Sequence, residues 1–290
     1  MNRMQKNRGL GKIAMLMLLI LVFLSCERAE YIITEGESKV VVEGWIDEGD
    51  VARVLITRSI PVTEPVDSSS IIRYTIRSAM VIVSDGEIND TLRLKSEPHR
   101  LPPFLYVGEK IIGQTGGKYT LTVKYLNQTL TAESVIPPTV PLNAVRYVRE
   151  NPTDTIGNLV VEFTHPVSQQ HYYQIATRLE GYDAIFVPCL YGNLNSRNFT
   201  SPDVSMQLMR GITIFPKTSF ESHFSDGDII FVRLRTMPKE GFDFWNSWQN
   251  EIINTQNAIF PSNSSLKSNI KGGIGIWCGY GESTMVVVAR

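Results

Sequence analysis

Four histidines, three cysteines and one short acidic turn are the side chains of this sequence best suited to chemistry. His165 and His171 come closest to a metal-ligand pair, but Pro166 stands between them and neither H-x-x-x-H nor H-E-x-x-H spacing occurs. They are read, with the scattered His99 and His223, as surface or hydrogen-bonded structural residues. Nucleophilic catalysis needs a serine or cysteine beside a base, and no G-x-S-x-G elbow is present. Asp47-Glu48-Gly49-Asp50 lacks the D-x-[DN]-x-[DN]-G pattern of a calcium loop and has the composition of a hairpin turn. Gly272-Gly273-Ile274-Gly275 enters a strand rather than opening a helix, so its glycines suit a bulge or close packing better than a phosphate. No catalytic, cofactor-binding or metal-binding residue is assigned, and the chain is read as non-enzymatic.

The cysteines divide by position. Arg3, Lys6, Arg8 and Lys12 precede an unbroken apolar run from Ile13 to Leu24, the layout of an export signal. The run is shorter than the roughly 20 residues that a membrane-spanning helix needs. Leu24-Ser25-Cys26 then resembles a bacterial lipobox, which predicts cleavage of residues 1–25 and lipidation of Cys26. A polar tether over 26–38, with Glu27, Arg28, Glu30, Glu35 and Glu37, would separate the lipid from the folded body. Cys189 and Cys278 remain, both in strand-like contexts of an exported chain. Sequence leaves open whether they form a disulfide or two separate buried thiols.

Charge limits the partners. Removing the four basic leader residues leaves 24 Lys and Arg against 29 Asp and Glu, a net charge of −5. With no basic run to neutralise phosphates, a nucleic-acid partner is not expected.

The elements that must carry these groups are mostly strands. Lys39–Ile46, Val51–Arg58, Ser78–Val83, Asp90–Lys95, Lys118–Tyr125 and Thr129–Ile136 read as short strands, and Asp85-Gly86 marks a hairpin. Lys118–Tyr125 alternates cleanly, with Tyr119, Leu121, Val123 and Tyr125 on one face. The pattern predicts an immunoglobulin-like or fibronectin-like sandwich over 39–137 with Trp45 in its core. Ser59–Tyr74, with two prolines and three consecutive serines, is expected to be an irregular loop, either ligand-facing or a crossover between sheets. Pro137, Pro138 and Pro141 mark a boundary, after which a second β domain is expected over 142–290. Its one helix is placed near 239–254, where Phe242, Trp245, Trp248 and Ile252 recur at helical spacing and suit packing on a sheet. The expected fold class is therefore mainly all-β.

Val42-Glu43-Gly44-Trp45-Ile46, Val83-Ser84-Asp85-Gly86, Gly117-Lys118-Tyr119-Thr120-Leu121, Phe244-Trp245 and Asn269-Ile270-Lys271-Gly272-Gly273-Ile274-Gly275 follow an ordered pattern. The set resembles the DUF4249 family of Bacteroidetes outer-membrane lipoproteins, a domain of unknown function, with Trp277-Cys278 departing from the pattern. The resemblance implies an outer-membrane lipoprotein, facing the periplasm or the cell surface, and often encoded beside a TonB-dependent receptor. The expected role is an accessory or ligand-binding component of nutrient uptake, ligand unknown. The alternative is a structural or adhesive module of the cell envelope. Asp90-Thr91-Leu92 and Asp154-Thr155-Ile156 also match the short O-glycosylation motif of such exported proteins, at Thr91 and Thr155.

Overall fold

The computed structural model describes residues 38–60, 67–212, 221–255 and 266–290. The leader, Cys26 and most of the expected tether lie outside them.

In the first half, β-branched runs form β1 (Val40–Asp47) and β2 (Val51–Arg58), a seven-residue helix α1 (Ser68–Tyr74), then β3 (Met80–Ser84), β4 (Asn89–Thr91), β5 (Arg93–Ser96), β6 (Phe104–Ile112), β7 (Lys118–Tyr125) and β8 (Gln128–Val135). The second half gives β9 (Leu142–Val148), β10 (Ile156–Thr164), β11 (Tyr172–Leu179), β12 (Val187–Asn195), β13 (Asp203–Leu208), β14 (Phe224–Ser225), β15 (Ile229–Met237), helix α2 (Lys239–Thr255) and β16 (Ile274–Val288). The fold is mainly β. α1 replaces part of the loop expected over Ser59–Tyr74.

One eight-stranded sheet, in the order β12-β11-β15-β16-β1-β2-β6-β5, runs through both halves. A four-stranded sheet β4-β3-β7-β8 covers one end of it, and the strands β13-β10-β14, with β9 also paired to β10, form the other small sheet. Two apolar cores result, because each small sheet has one apolar face to bury. The first holds Val42, Val54, Val81, Leu121, Leu130 and Trp277, and the second Leu159, Phe163, Tyr173, Ile175, Val232 and Leu234. Pro137–Pro141 opens the stretch that feeds the second core, beginning at Val140, but the first core also takes Ile270 and Trp277 from beyond it. The separation into independent bodies at that point is not what the structure has, since Ser38–Arg290 forms one compact unit. The reason is β16. Its first half pairs in parallel with β1 and its second half pairs antiparallel with β15, so the last strand of the chain joins both sandwiches.

Close backbone approach makes that junction possible. Gly275, at φ +126°, would place a Cβ 1.9 Å from the Val42 carbonyl oxygen, so only glycine fits beside β1. Asn269 fixes the same strand through its side chain, whose Nδ2 donates to the Trp277 carbonyl at 2.7 Å while its Oδ1 accepts from Trp277 N at 2.9 Å. Trp277 is fully buried, and its Nε1 donates to the Tyr119 carbonyl at 3.0 Å. It takes the core position expected of Trp45. The alternation of β1 turns Val40, Val42 and Ile46 inward and Trp45 to the opposite face of the sheet, where it is half-buried.

Helix α2 covers that opposite face over β16 and β11. Its inward stripe runs through Gly241 and Phe244, with Phe242 and Trp245 packed beside them against Met237, Ile276, Cys278 and Tyr280. The expected stripe was therefore right in its aromatic character and rotated in detail, because the small Gly241 lets the helix close onto Cys278.

Candidate functional site

On β15 the side chains alternate, so Ile230, Val232 and Leu234 enter the second core while Phe231, Arg233 and Arg235 share the opposite face. Register brings Gln174 and Glu282 beside Arg235, and Ala176 and Thr284 beside Arg233. Asp47, at the end of β1, pairs with Tyr280 on β16 and so reaches the same face from the first half of the chain. A charged cluster results next to α2.

Arg235 is its centre. Its Nη2 donates to both Asp47 oxygens, at 3.0 and 3.2 Å, its Nε donates to Glu282 Oε2 at 3.2 Å, and its guanidinium lies 4.3 Å from the centre of the Tyr280 ring. The Tyr280 hydroxyl in turn accepts from Trp245 Nε1 at 2.8 Å, which ties the helix to the cluster. Arg233 is served less well. It reaches Glu282 Oε2 only at 3.4 Å, stacks 4.0 Å over Phe186, and its buried Nε has no partner among the described residues. Arg178 extends the row, 4.0 Å over Phe231, without a carboxylate partner among the described residues.

Burial sets the electrostatics. It raises the pKa of Asp47, a shift that the Arg235 charge opposes without cancelling. Burial also works against the charge on Arg235, but Asp47, Tyr280 and Glu282 outweigh it and the guanidinium is held charged. Arg233 is pushed down to about 9 by burial and then by the neighbouring Arg235 charge. The carboxylates are thus counter-ions gripped by arginine. Arg235 is buried and engaged by these carboxylates, so what the face leaves to an outside molecule is the part-exposed Arg178 and Arg233 with Phe186 and Phe231.

The remaining residues singled out in the sequence fall as follows. Cys26 lies outside the described residues. Cys189 and Cys278 are both free and buried, Cys189 in the second core, where its Sγ contacts Thr177 Oγ1 at 3.9 Å, and Cys278 under α2. Of the two arrangements the sequence leaves open, the structure has the separate thiols, since β11 and β15 lie between β12 and β16 and the two side chains enter different clusters. Thr91 and Thr155 are exposed, but Asp90 beside Thr91 is buried, its Oδ2 accepting from the backbone of Glu109, Lys110 and Ile111. The acidic turn does not converge. Asp47 goes to Arg235, Glu48 accepts from Thr115 and Thr139, and Asp50 pairs with Arg53. His99 and His223 are exposed, whereas His165 and His171 come together with ring centres 5.5 Å apart.

Sequence reasoning missed Arg233, Arg235 and Glu282. A usable signal was present in Asp228–Thr236, where two arginines at alternate positions of an otherwise apolar strand fall on one face. No helix among the described residues is long and apolar enough to cross a membrane. No curated protein matches the chain. A family model described as Domain of unknown function (DUF4249) matches residues 27–285, and the chain belongs to that family.

Proposed function

We propose that this chain is an outer-membrane lipoprotein anchored through Cys26, a non-enzymatic accessory or ligand-binding component of a TonB-dependent uptake receptor. The observation that carries the anchor is a junction in the sequence. A basic leader and apolar run end in Leu24-Ser25-Cys26, and the family match begins at the next residue, 27. The part-exposed Arg178 and Arg233, stacked on Phe231 and Phe186, support a recognition role, while the buried Arg235 holds Asp47 and Glu282 as counter-ions.

A second reading, a structural spacer of the envelope, is favoured by the continuous eight-stranded sheet, which links both cores into one body. Gentle detergent extraction through a C-terminal tag separates the two. Recovery of one TonB-dependent receptor in near-equal amount, with the protein acylated at Cys26, supports the uptake role. Recovery of the acylated protein alone supports the spacer, and an unacylated protein overturns the anchor.

A further inference from the structure

His165 and His171 flank the end of the second core, where β10 ends and β11 begins, within a group of rings that includes Tyr173 and Phe199. Aromatic packing accounts for the rings. It does not account for the polar atoms. His171 is 7% exposed, yet its Nε2 is buried with no hydrogen-bond partner, a costly state for an imidazole nitrogen. The backbone N–H of His171 is bonded to Ser196 Oγ at 2.9 Å, so the residue is held in place.

His165 supplies the complement. Its Nδ1 shares a hydrogen bond of 2.9 Å with the Tyr173 hydroxyl, which can fix the ring and its tautomer. With Nδ1–H donating to Tyr173, the Nε2 lone pair is left for an acceptor role, the arrangement that supports imidazoles bound to metals. Two imidazoles on one tetrahedral ion, each at about 2.0–2.1 Å, hold their ring centres roughly 5 Å apart. The observed separation is 5.5 Å. Burial lowers both pKa values, and His165 adds to the effect at His171, so both rings are neutral and competent as ligands near neutral pH.

We propose that His165 and His171 form a two-imidazole site for a late first-row divalent cation, binding copper(II) more tightly than zinc(II). Among the described residues no third His, Cys, Asp or Glu joins them, so the remaining coordination falls to water. Imidazole donors and the general order of divalent affinities put copper(II) first. The site does not depend on the uptake role.

The test uses the full chain in mild detergent, carrying a tag without histidine and stripped with chelator. Calorimetric titration with copper(II) and with zinc(II), each with glycine present to suppress loose surface binding, should show one ion per chain. His165→Phe and His171→Phe keep a ring in the group and should each weaken binding at least tenfold, while His99→Ala and His223→Ala leave it unchanged. One-to-one binding that persists in a folded His171→Phe variant overturns the site, as does its absence from the parent protein. Electron paramagnetic resonance of the copper(II) form of the parent protein serves if both variants fail to fold. A two-nitrogen coupling pattern supports the pair, and a pattern with none or one overturns it.

Discussion

Asp47 and Arg235, 188 residues apart in the chain, meet as a buried ion pair with both carboxylate oxygens within 3.2 Å of one guanidinium nitrogen. The pair links the end of the first strand to the strand before α2. It also sets the first prediction. Removing one member of a buried pair strands the other, at a cost of about 3–5 kcal/mol. Arg235→Met should lower the urea-derived unfolding free energy by about that amount, and adding Asp47→Leu should recover much of it. If the double variant is no more stable than Arg235→Met, the loss comes from the Tyr280 and Glu282 contacts instead.

Gly44 and Trp277 are register partners across the parallel β1·β16 seam. A Cβ on Gly44 would lie 2.9 Å from Trp277 Cε3 and 3.3 Å from Val54 Cγ2, and the indole is fully buried with no room to withdraw. Gly44→Ala should therefore destabilise by about 1–3 kcal/mol through overpacking. In a Trp277→Phe background the same substitution should cost less than half as much, because the smaller ring leaves space. Equal costs in the two backgrounds, measured by a double-mutant cycle, would place the strain elsewhere.

Much of this fold could be read from local pattern. Lys118–Tyr125 was bounded correctly and its apolar face assigned, and α2 was placed to within a residue at its end. Local pattern reports which side chains share a face and is silent on which strand lies alongside. That is why the pairing of β1 with β16 was not legible, nor the single sheet that follows from it. Trp45 and Trp277 illustrate the same limit. Both lie in apolar alternating runs, and only the register decides which enters the core. The charged cluster was hidden for a related reason, since its members come from β1, β15 and β16 and share no sequence motif. α1 escaped because serines and prolines argue for a loop, and the bridge that ties its end to β2, between Thr57 and Thr75 just after the helix, is tertiary.

Cys189 and Cys278 give a third prediction. Burial pushes both thiols up to about 12, so neither is a thiolate at neutral pH and neither reaches solvent. In native protein both should react with a thiol reagent at least a hundredfold more slowly than after denaturation. The mass of the unfolded, unreduced chain should be that of free thiols at both positions. A mass lower by two hydrogens, restored by reductant, would reinstate the disulfide.

The histidine pair makes a pH prediction that is independent of any metal. Burial lowers the pKa of His165, and burial together with the His165 charge lowers that of His171, relative to the unfolded chain. Above the unfolded value of about 6.5 both states are neutral and the contribution to stability is fully present. As pH falls below it, the unfolded chain takes up protons that the native rings refuse, and stability is lost towards the lower native pKa values. In chelator-containing buffer the urea midpoint should decline as pH falls below about 6.5. The double variant His165→Phe/His171→Phe should flatten that decline while leaving the acid limb of the carboxylates in place. Glu48 belongs to that lower limb, because its bonds from Thr115 and Thr139 hold its pKa below the usual glutamate range. Its stabilisation is lost only as pH falls further. A decline beginning just below about pH 6.5 that survives the double variant would assign the titration to groups other than these two rings.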